Sequence, residues 1–162
     1  MTVIAVTGHL DLTSTTACAV RCALAALLAP YPAAELTGVS CLAPGADSVF
    51  ADAVLDLGGR LVAVLPGTDY PDPQADAAER AEFARLRTAA HQVVVLPAEQ
   101  LDSAAYVAAN DELLRLADEL VAVWDGRPGN GPGGTADMVA AARAAGVPVR
   151  LVWPPGAART PH

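Results

Sequence analysis

Aromatic residues are scarce in this sequence, at 4% of 162 residues. A core must therefore come from Ala, Val and Leu, which suits slim alanine-rich helices packed closely on a parallel sheet. Long apolar runs are missing too. None approaches the eighteen or so residues of a membrane span, and the chain enters a strand directly, without a basic segment and signal-peptide hydrophobic region. A cytoplasmic location with no membrane partner is expected on that basis. Cysteine is rare. Cys18 and Cys22 fall at i, i+4 on an expected helix and Cys41 ends an expected strand, a pattern read as small buried apolar residues, with a zinc site as the poorer alternative. No metal and no cofactor are expected.

Basic residues are few as well: ten Lys plus Arg against eighteen Asp plus Glu give a net charge of −8. A sequence-independent grip on a phosphate backbone needs a basic stripe, so no nucleic-acid partner is expected. A small anion is not excluded, because backbone amides and a helix dipole act locally while net charge is diffuse and screened. Two fingerprints are absent. The turn after the first strand reads Gly8-His-Leu-Asp-Leu instead of G-x-G-x-x-G, and no G-x-x-x-x-G-K-[ST] occurs, so neither an ordinary NAD-binding dehydrogenase nor a P-loop NTPase is supported.

What is present is a regular alternation. Apolar β-branched runs predict strands at 3–6, 36–42, 61–65, 92–96, 120–124 and 147–152, and helix formers with capping and stop signals predict helices at 17–28, 48–57, 77–90, 103–116 and 136–145. Short connections between them point to an α/β fold: a Rossmann-like three-layer sandwich with a doubly wound, mostly parallel sheet of about six strands. A single domain over 1–153 is expected, then a flexible tail over 154–162 that holds three prolines. The charged helix at 77–90 reads as a solvated face with i, i+3 and i+4 pairs, and the Pro- and Asp-rich segment 68–76 as a candidate lid. Self-association into a homodimer through alanine-rich helices is a further expectation.

In such sheets ligands bind beyond the carboxyl ends of the strands, where strand order reverses. The turns at Gly8-His9, Pro44-Gly45-Ala46-Asp47, Pro66-Gly67 and 125–135 each follow a strand, so all can line one edge. The last is the most informative. Five glycines and two prolines fall within 126–134, a stretch longer than the usual βα connection of about two to six residues. With Thr135 expected at the N-cap of the next helix, the loop presents backbone N–H groups and a dipole to an anion.

Three blocks resemble the SLOG superfamily of Rossmann-like nucleotide-ligand proteins, which includes the DprA-like and LOG (cytokinin-activating phosphoribohydrolase) families. They are Val6-Thr-Gly-His9-Leu-Asp11-Leu; Gly38-Val-Ser40-Cys-Leu-Ala-Pro-Gly45-Ala-Asp47 with Ala51-Asp-Ala-Val-Leu-Asp-Leu-Gly58-Gly; and Ala122-Val-Trp124-Asp125-Gly126 through Gly133-Gly134-Thr135. The resemblance is greatest to small bacterial members. It implies phosphate contacts from Gly133, Gly134 and Thr135, with Gly8, His9, Ser40, Gly45 and Asp47 on the nucleoside side. Leu10 departs from the arginine of those members and removes a possible bidentate phosphate contact. Met138 departs more consequentially, standing where the LOG-type enzymes and the similar nucleoside deoxyribosyltransferases carry the glutamate of Gly-Thr-x-x-Glu.

Cleaving a C–N glycoside calls for a carboxylate at the oxocarbenium-like centre and an acid for the departing base. Carboxylates expected near the edge are Asp11, Asp47, Asp69, Asp72, Asp125 and Asp137. Asp125 is the foremost candidate, able also to accept from ribose hydroxyls, and Asp137 lies one residue before Met138. Each aspartate is more readily read as a cap or turn residue. His9 is a candidate acid, base or phosphate donor, with a structural role in its turn as the alternative. Trp124 stacks a nucleobase or joins the core. The favoured expectation is a sensor or ligand-handling module that holds a nucleotide with its phosphate on the Gly-Gly-Thr loop. The alternatives are an N-glycosidase or phosphoribohydrolase acting on a nucleoside 5′-monophosphate and, weakest, a DNA-handling protein of the DprA kind.

Overall fold

The computed structural model describes residues 1–129 and 131–161; Asn130, within the glycine-rich loop, and His162 lie outside the described residues. Six strands alternate with five helices: β1 (Thr2–Gly8), α1 (Ser14–Leu28), β2 (Leu36–Ser40), α2 (Ala46–Asp56), β3 (Arg60–Gly67), α3 (Ala77–Ala89), β4 (Gln92–Ala98), α4 (Ser103–Leu116), β5 (Glu119–Val123), α5 (Thr135–Ala144) and β6 (Val149–Val152). A 3-10 turn at Ala33–Glu35 precedes β2.

All neighbouring strands pair in parallel, in the order β4-β3-β2-β1-β5-β6. The chain steps outward from β1 to β4, crosses back through α4, and lays β5 on the other side of β1. Parallel strands need such crossovers, and right-handed connections put the helices of the two halves on opposite faces. One face packs Ile4, Val6, Val121 and Val123 with Val20 and Leu24 of α1 and Phe50 and Val54 of α2. On the other, Ala5, Val39, Val62, Val64 and Leu120 meet Ala109 and Leu113 of α4 and Met138 and Ala142 of α5. The period-two alternation along β1 and β5 thus feeds both layers of a three-layer sandwich.

Element ends differ from the sequence reading for local reasons. Thr13 caps α1 by accepting from Thr16 N, so the helix begins at Ser14. Val147 stays tied to the end of α5, its N–H donating to Ala142 O at 2.9 Å, which delays β6 until Val149. The cysteine expectation is corrected: Cys18 and Cys22 are exposed. The buried stripe of α1 is Thr16, Val20, Leu24 and Leu28, and positions two residues away along a helix point about 200° around it. Cys41 is half-buried. Among the described residues no helix is long and apolar enough to cross a membrane.

The segment after β6 runs back along the start of α1. Ala158 N donates to Thr16 Oγ1 at 2.8 Å, Thr13 N donates to Ala158 O at 3.3 Å, and Leu12 and Arg159 form an antiparallel bridge.

Candidate functional site

Strand order reverses at β1, between β2 and β5, and a cavity of about 870 Å³ opens beyond the carboxyl ends of these strands. Every helix here follows a strand, so all five N-termini lie along this edge. Thr13, Asp76 and Asp102 cap α1, α3 and α4 with their side chains, whereas glycines stand at the caps of α2 and α5, neither with a side-chain capping bond. The first turns of these two helices, at Asp47 and at Thr135 and Ala136, line the cavity.

The turn after β1 is pinned from both sides. His9 N donates to Val123 O of β5 at 3.1 Å, and His9 O accepts from Ala46 N of α2 at 3.2 Å. Gly45, at φ +81°, closes this junction, since a Cβ there would lie 2.5 Å from His9 O. The His9 ring is buried with its edge against Trp153, centroids 5.6 Å apart. Its Nε2 lies 3.2 Å from both Asp125 N and Asp125 Oδ1. A ring nitrogen accepts from the amide only when unprotonated and donates to the carboxylate only when protonated. Burial, helped by the charge of Arg159, outweighs the pull of Asp125 and holds the His9 pKa below its ordinary value. At neutral pH the ring is therefore neutral, and Nε2 accepts the Asp125 amide.

Burial pushes the Asp125 carboxyl up, but the Arg127 amide (3.0 Å), His9 and Arg159 together outweigh it and hold the group below the usual carboxylate range. Trp124, half-buried at the cavity, donates from Nε1 to Arg127 O at 2.9 Å, fixing the start of the long loop. At its far end Gly133 adopts φ +86°, and a Cβ there would lie 2.9 Å from the Cβ of Tyr106 on α4. Asn110 Nδ2 donates to Gly133 O at 3.2 Å, and Asp137 Oδ2 accepts from Gly133 N at 3.0 Å. The cap of α5 is Gly134, one residue earlier than expected, so Thr135 opens the helix. Met138 is fully buried among core residues, on the α4 side of the sheet.

Across β1, the turn between β2 and α2 is internally bonded. Ser40 Oγ accepts from Leu42 N at 3.0 Å and donates to Asp47 O at 3.2 Å, while Ser48 Oγ donates to Ala43 O at 2.7 Å. Asp47 is 8% exposed. Its carboxylate accepts from Ala43 N at 3.4 Å, and burial pushes its pKa up to about 7 against that bond. Tyr70, buried and edge-on to Phe83, stands in the field of Asp47, which after burial raises its hydroxyl pKa further.

Tyr70 belongs to the segment 68–76, which lies at the cavity with Pro71, Asp72, Gln74 and Ala75 lining it. Arg80 of α3 holds this segment, donating to Ala75 O at 3.0 Å and to Pro73 O. On the opposite rim Arg159 donates to Asp11 Oδ1 at 2.8 Å and stands 4.0 Å from Asp125 Oδ2.

Of the residues singled out in the sequence, Gly8, His9, Asp47, Trp124, Gly133, Gly134 and Thr135 line the cavity. Ser40, Gly45, Asp125, Gly126 and Asp137 lie outside its lining: Ser40 and Gly45 serve the turns, Asp125 backs His9, exposed Gly126 turns at φ +80°, and Asp137 secures Gly133. Tyr70, Tyr106, Asn110 and Arg159 are lining residues that the motifs did not indicate. Helical spacing hides Tyr106 and Asn110, which share a face of α4 at i, i+4; nothing local marks Arg159. Among the described residues no three His, Cys, Asp or Glu side chains gather as a metal site requires.

An α/β sandwich with its cavity at the strand-order reversal defines a Rossmann-like ligand-binding fold. The same fold is seen in solved structures to which the chain is similar. DprA from Streptococcus pneumoniae superimposes with a TM-score of 0.65 at 23% identity over 93% of this chain and 50% of its own, and DprA from Helicobacter pylori with 0.61 at 16% identity over 93% and 64%. The molybdenum cofactor carrier protein of Chlamydomonas reinhardtii matches with 0.54 at 24% identity over 93% of this chain and 75% of its own. The chain thus spans about half the length of the first of these. No protein-family model matches the sequence, and no curated protein matches it.

These neighbours correct one expectation, the exclusion of a nucleic-acid partner from the net charge of −8. The Helicobacter pylori protein, which shares this fold over 64% of its own chain, has a single-stranded DNA binding mode, so a net charge of −8 does not exclude a nucleic-acid partner. The physical error lay in scale: net charge sums the whole surface, whereas a phosphate responds to helix ends and guanidinium groups within about a Debye length of 8–10 Å.

Proposed function

We propose that this chain binds a nucleotide or nucleotide-derived ligand across β1, with phosphate at the first turn of α5 and the base toward α2. The supporting observation is a single cavity that joins an α5 N-terminus without a side-chain cap to a buried, apolar-walled floor at Asp47. Each of these helices carries an aspartate in its first turn, Asp47 at α2 and Asp137 at α5; Asp137 turns back to accept from Gly133 N, while Gly134, Thr135 and Ala136 line the cavity. Phosphate therefore belongs at Gly134, Thr135 and Ala136, where the dipole and N–H groups act together. Two inter-strand spacings, about 10 Å, separate β2 from β5, which suits a ligand with distinct ends. A nucleotide within single-stranded DNA meets the same description as a free one.

Binding without turnover accords with the placement of the candidate catalytic groups. Met138 is core, Asp137 is engaged by Gly133, and Asp125 sits behind His9. Thermal shift with nucleoside mono- and diphosphates, ADP-ribose, cyclic nucleotides and a short single-stranded oligodeoxynucleotide tests the reading. A ligand at 100 times its Kd stabilises by about 2.7 kcal/mol. Absence of stabilisation by any phosphate-bearing ligand at millimolar concentration overturns it, and release of free base from a nucleoside 5′-monophosphate would move the chain to the N-glycosidases.

A further inference from the structure

Resting on that reading, we infer that Asp47 is the base-reading residue of the site and takes the paired N–H donors of a 2-amino-4-oxopyrimidine edge, the edge shared by guanine and pterins.

The inference begins from an imbalance in hydrogen bonding. A carboxylate offers about four lone-pair sites. Among the described residues the one donor to Asp47 is Ala43 N, at the long distance of 3.4 Å. The side chain is nonetheless 92% withdrawn from solvent, being 8% exposed, and it faces the cavity. Buried polar groups of this kind ordinarily have their partners, because leaving one unmade costs about 1–3 kcal/mol, and more for a charge. Among the described residues no sealed side-chain oxygen lacks a partner, so the Asp47 carboxylate opens on the cavity, where a ligand displacing solvent supplies the remaining donors.

The surroundings specify the shape of that ligand. Leu42, Tyr70, Phe83, Ala109 and Leu113 line the cavity, an apolar stock that accepts the faces of a flat heterocycle and gives a ribose nothing to bond. Asp47 sits in the first turn of α2, where the helix dipole favours the ionised carboxylate against the burial that raises its pKa. An ionised carboxylate has acceptors only. It is therefore matched by two adjacent donors, as on guanine or a pterin, where a ring N–H stands beside an exocyclic amino group. Hypoxanthine supplies one donor. Xanthine sets a carbonyl against the second carboxylate oxygen, and adenine sets a ring lone pair against it. The near-neutral pKa that burial gives Asp47, about 7, leaves the proton easily displaced when two donors arrive.

The test is calorimetric titration with the 5′-monophosphates of guanosine, inosine, xanthosine and adenosine and with a phosphorylated pterin. Wild-type protein is expected to bind the guanosine or the pterin compound at least tenfold more tightly than inosine monophosphate, and adenosine monophosphate more weakly still. Preference for one of the two separates a nucleotide source from a pterin source. In Asp47→Asn, which presents one acceptor and one donor, affinity for guanosine monophosphate should fall at least tenfold and that for xanthosine monophosphate should rise. Equal or tighter binding of adenosine or inosine monophosphate by wild type overturns the inference while leaving the nucleotide reading intact. No binding of any of the five overturns the inference, and the nucleotide reading itself falls only if the wider thermal-shift panel also shows no stabilisation. The wild-type comparison carries the test even if the variant does not fold.

Discussion

The imidazole of His9 and the backbone N–H of Asp125 meet at 3.2 Å across a separation of 116 residues in sequence. This contact ties the turn after β1 to the loop after β5, and it requires an unprotonated Nε2. Because the folded-state pKa lies below the ordinary 6.5, the unfolded chain binds the proton more readily in the window beneath that value. Stability from this group is complete above 6.5 and is lost as pH falls through the folded-state pKa. His9 is expected to titrate below the ordinary 6.5 in an NMR pH series, and thermal stability should decline as pH falls through that range. A His9 resonance titrating above 6.5 would contradict the assignment of Nε2 as acceptor.

Asp47 has the opposite sign. Its pKa rises from 3.8 to about 7 on folding, so the native state holds the proton longer and stability falls as pH rises between those values. Asp47→Asn removes that penalty. Relative to wild type the variant should gain on the order of a few kcal/mol between pH 4 and pH 8, at up to about 1.4 kcal/mol per pH unit. Denaturant midpoints at the two pH values measure it, and a difference that does not change with pH would refute the shift.

Gly133 and Gly134 should separate under substitution. At Gly133 alanine meets both a left-handed backbone and the Tyr106 Cβ at 2.9 Å, so Gly133→Ala is expected to lose about 1–3 kcal/mol of stability. Gly134 has an extended backbone, and its nearest neighbour would be Gly131 O at 3.5 Å. Gly134→Ala should keep the wild-type melting temperature, and Gly134→Val should weaken phosphate binding by at least tenfold by crowding the amides. Wild-type affinity in Gly134→Val would remove the loop from the phosphate site.

Arg159 offers a different contrast. Its ion pair with Asp11 is partly exposed, so Arg159→Gln should cost less than about 1 kcal/mol. Ending the chain after Trp153 also removes the bonds of Ala158 to Thr13 and Thr16, and should lower the melting temperature by several degrees in a domain of this size. Equal melting of the two variants would mean that the returning segment contributes only through its guanidinium.

Strand and helix alternation, the edge carrying the site and the glycine-rich loop were legible because each has a local sign: period-two apolar runs, glycine after a strand, an overlong connection. Side chains engaged by distant partners were not. The bonds of Ser40 within its turn and of Asp125 to His9 have no local sign, and Arg159 reaches the cavity through a bridge to Leu12 that no neighbouring residue announces. Met138 was informative in both readings, as a missing acid in the motif and as a buried member of the core. The cysteines of α1 misled because alanine-rich helices give the apolar stripe little contrast against its flanks.

The placement of β5 beside β1 gives the cavity a seam. One wall, from α2 and the segment before α3, belongs to the part of the chain that can assemble on β1 to β4; the other, from the β5 loop and α5, arrives only after the α4 crossover. Contacts of such long sequence separation close late in folding. A ligand spanning both walls would therefore act as a clasp across the β1–β5 ladder. Its presence should be read most strongly in slowed amide exchange at Val6, Gly8, Val121 and Val123, residues of the two strands on either side of that seam.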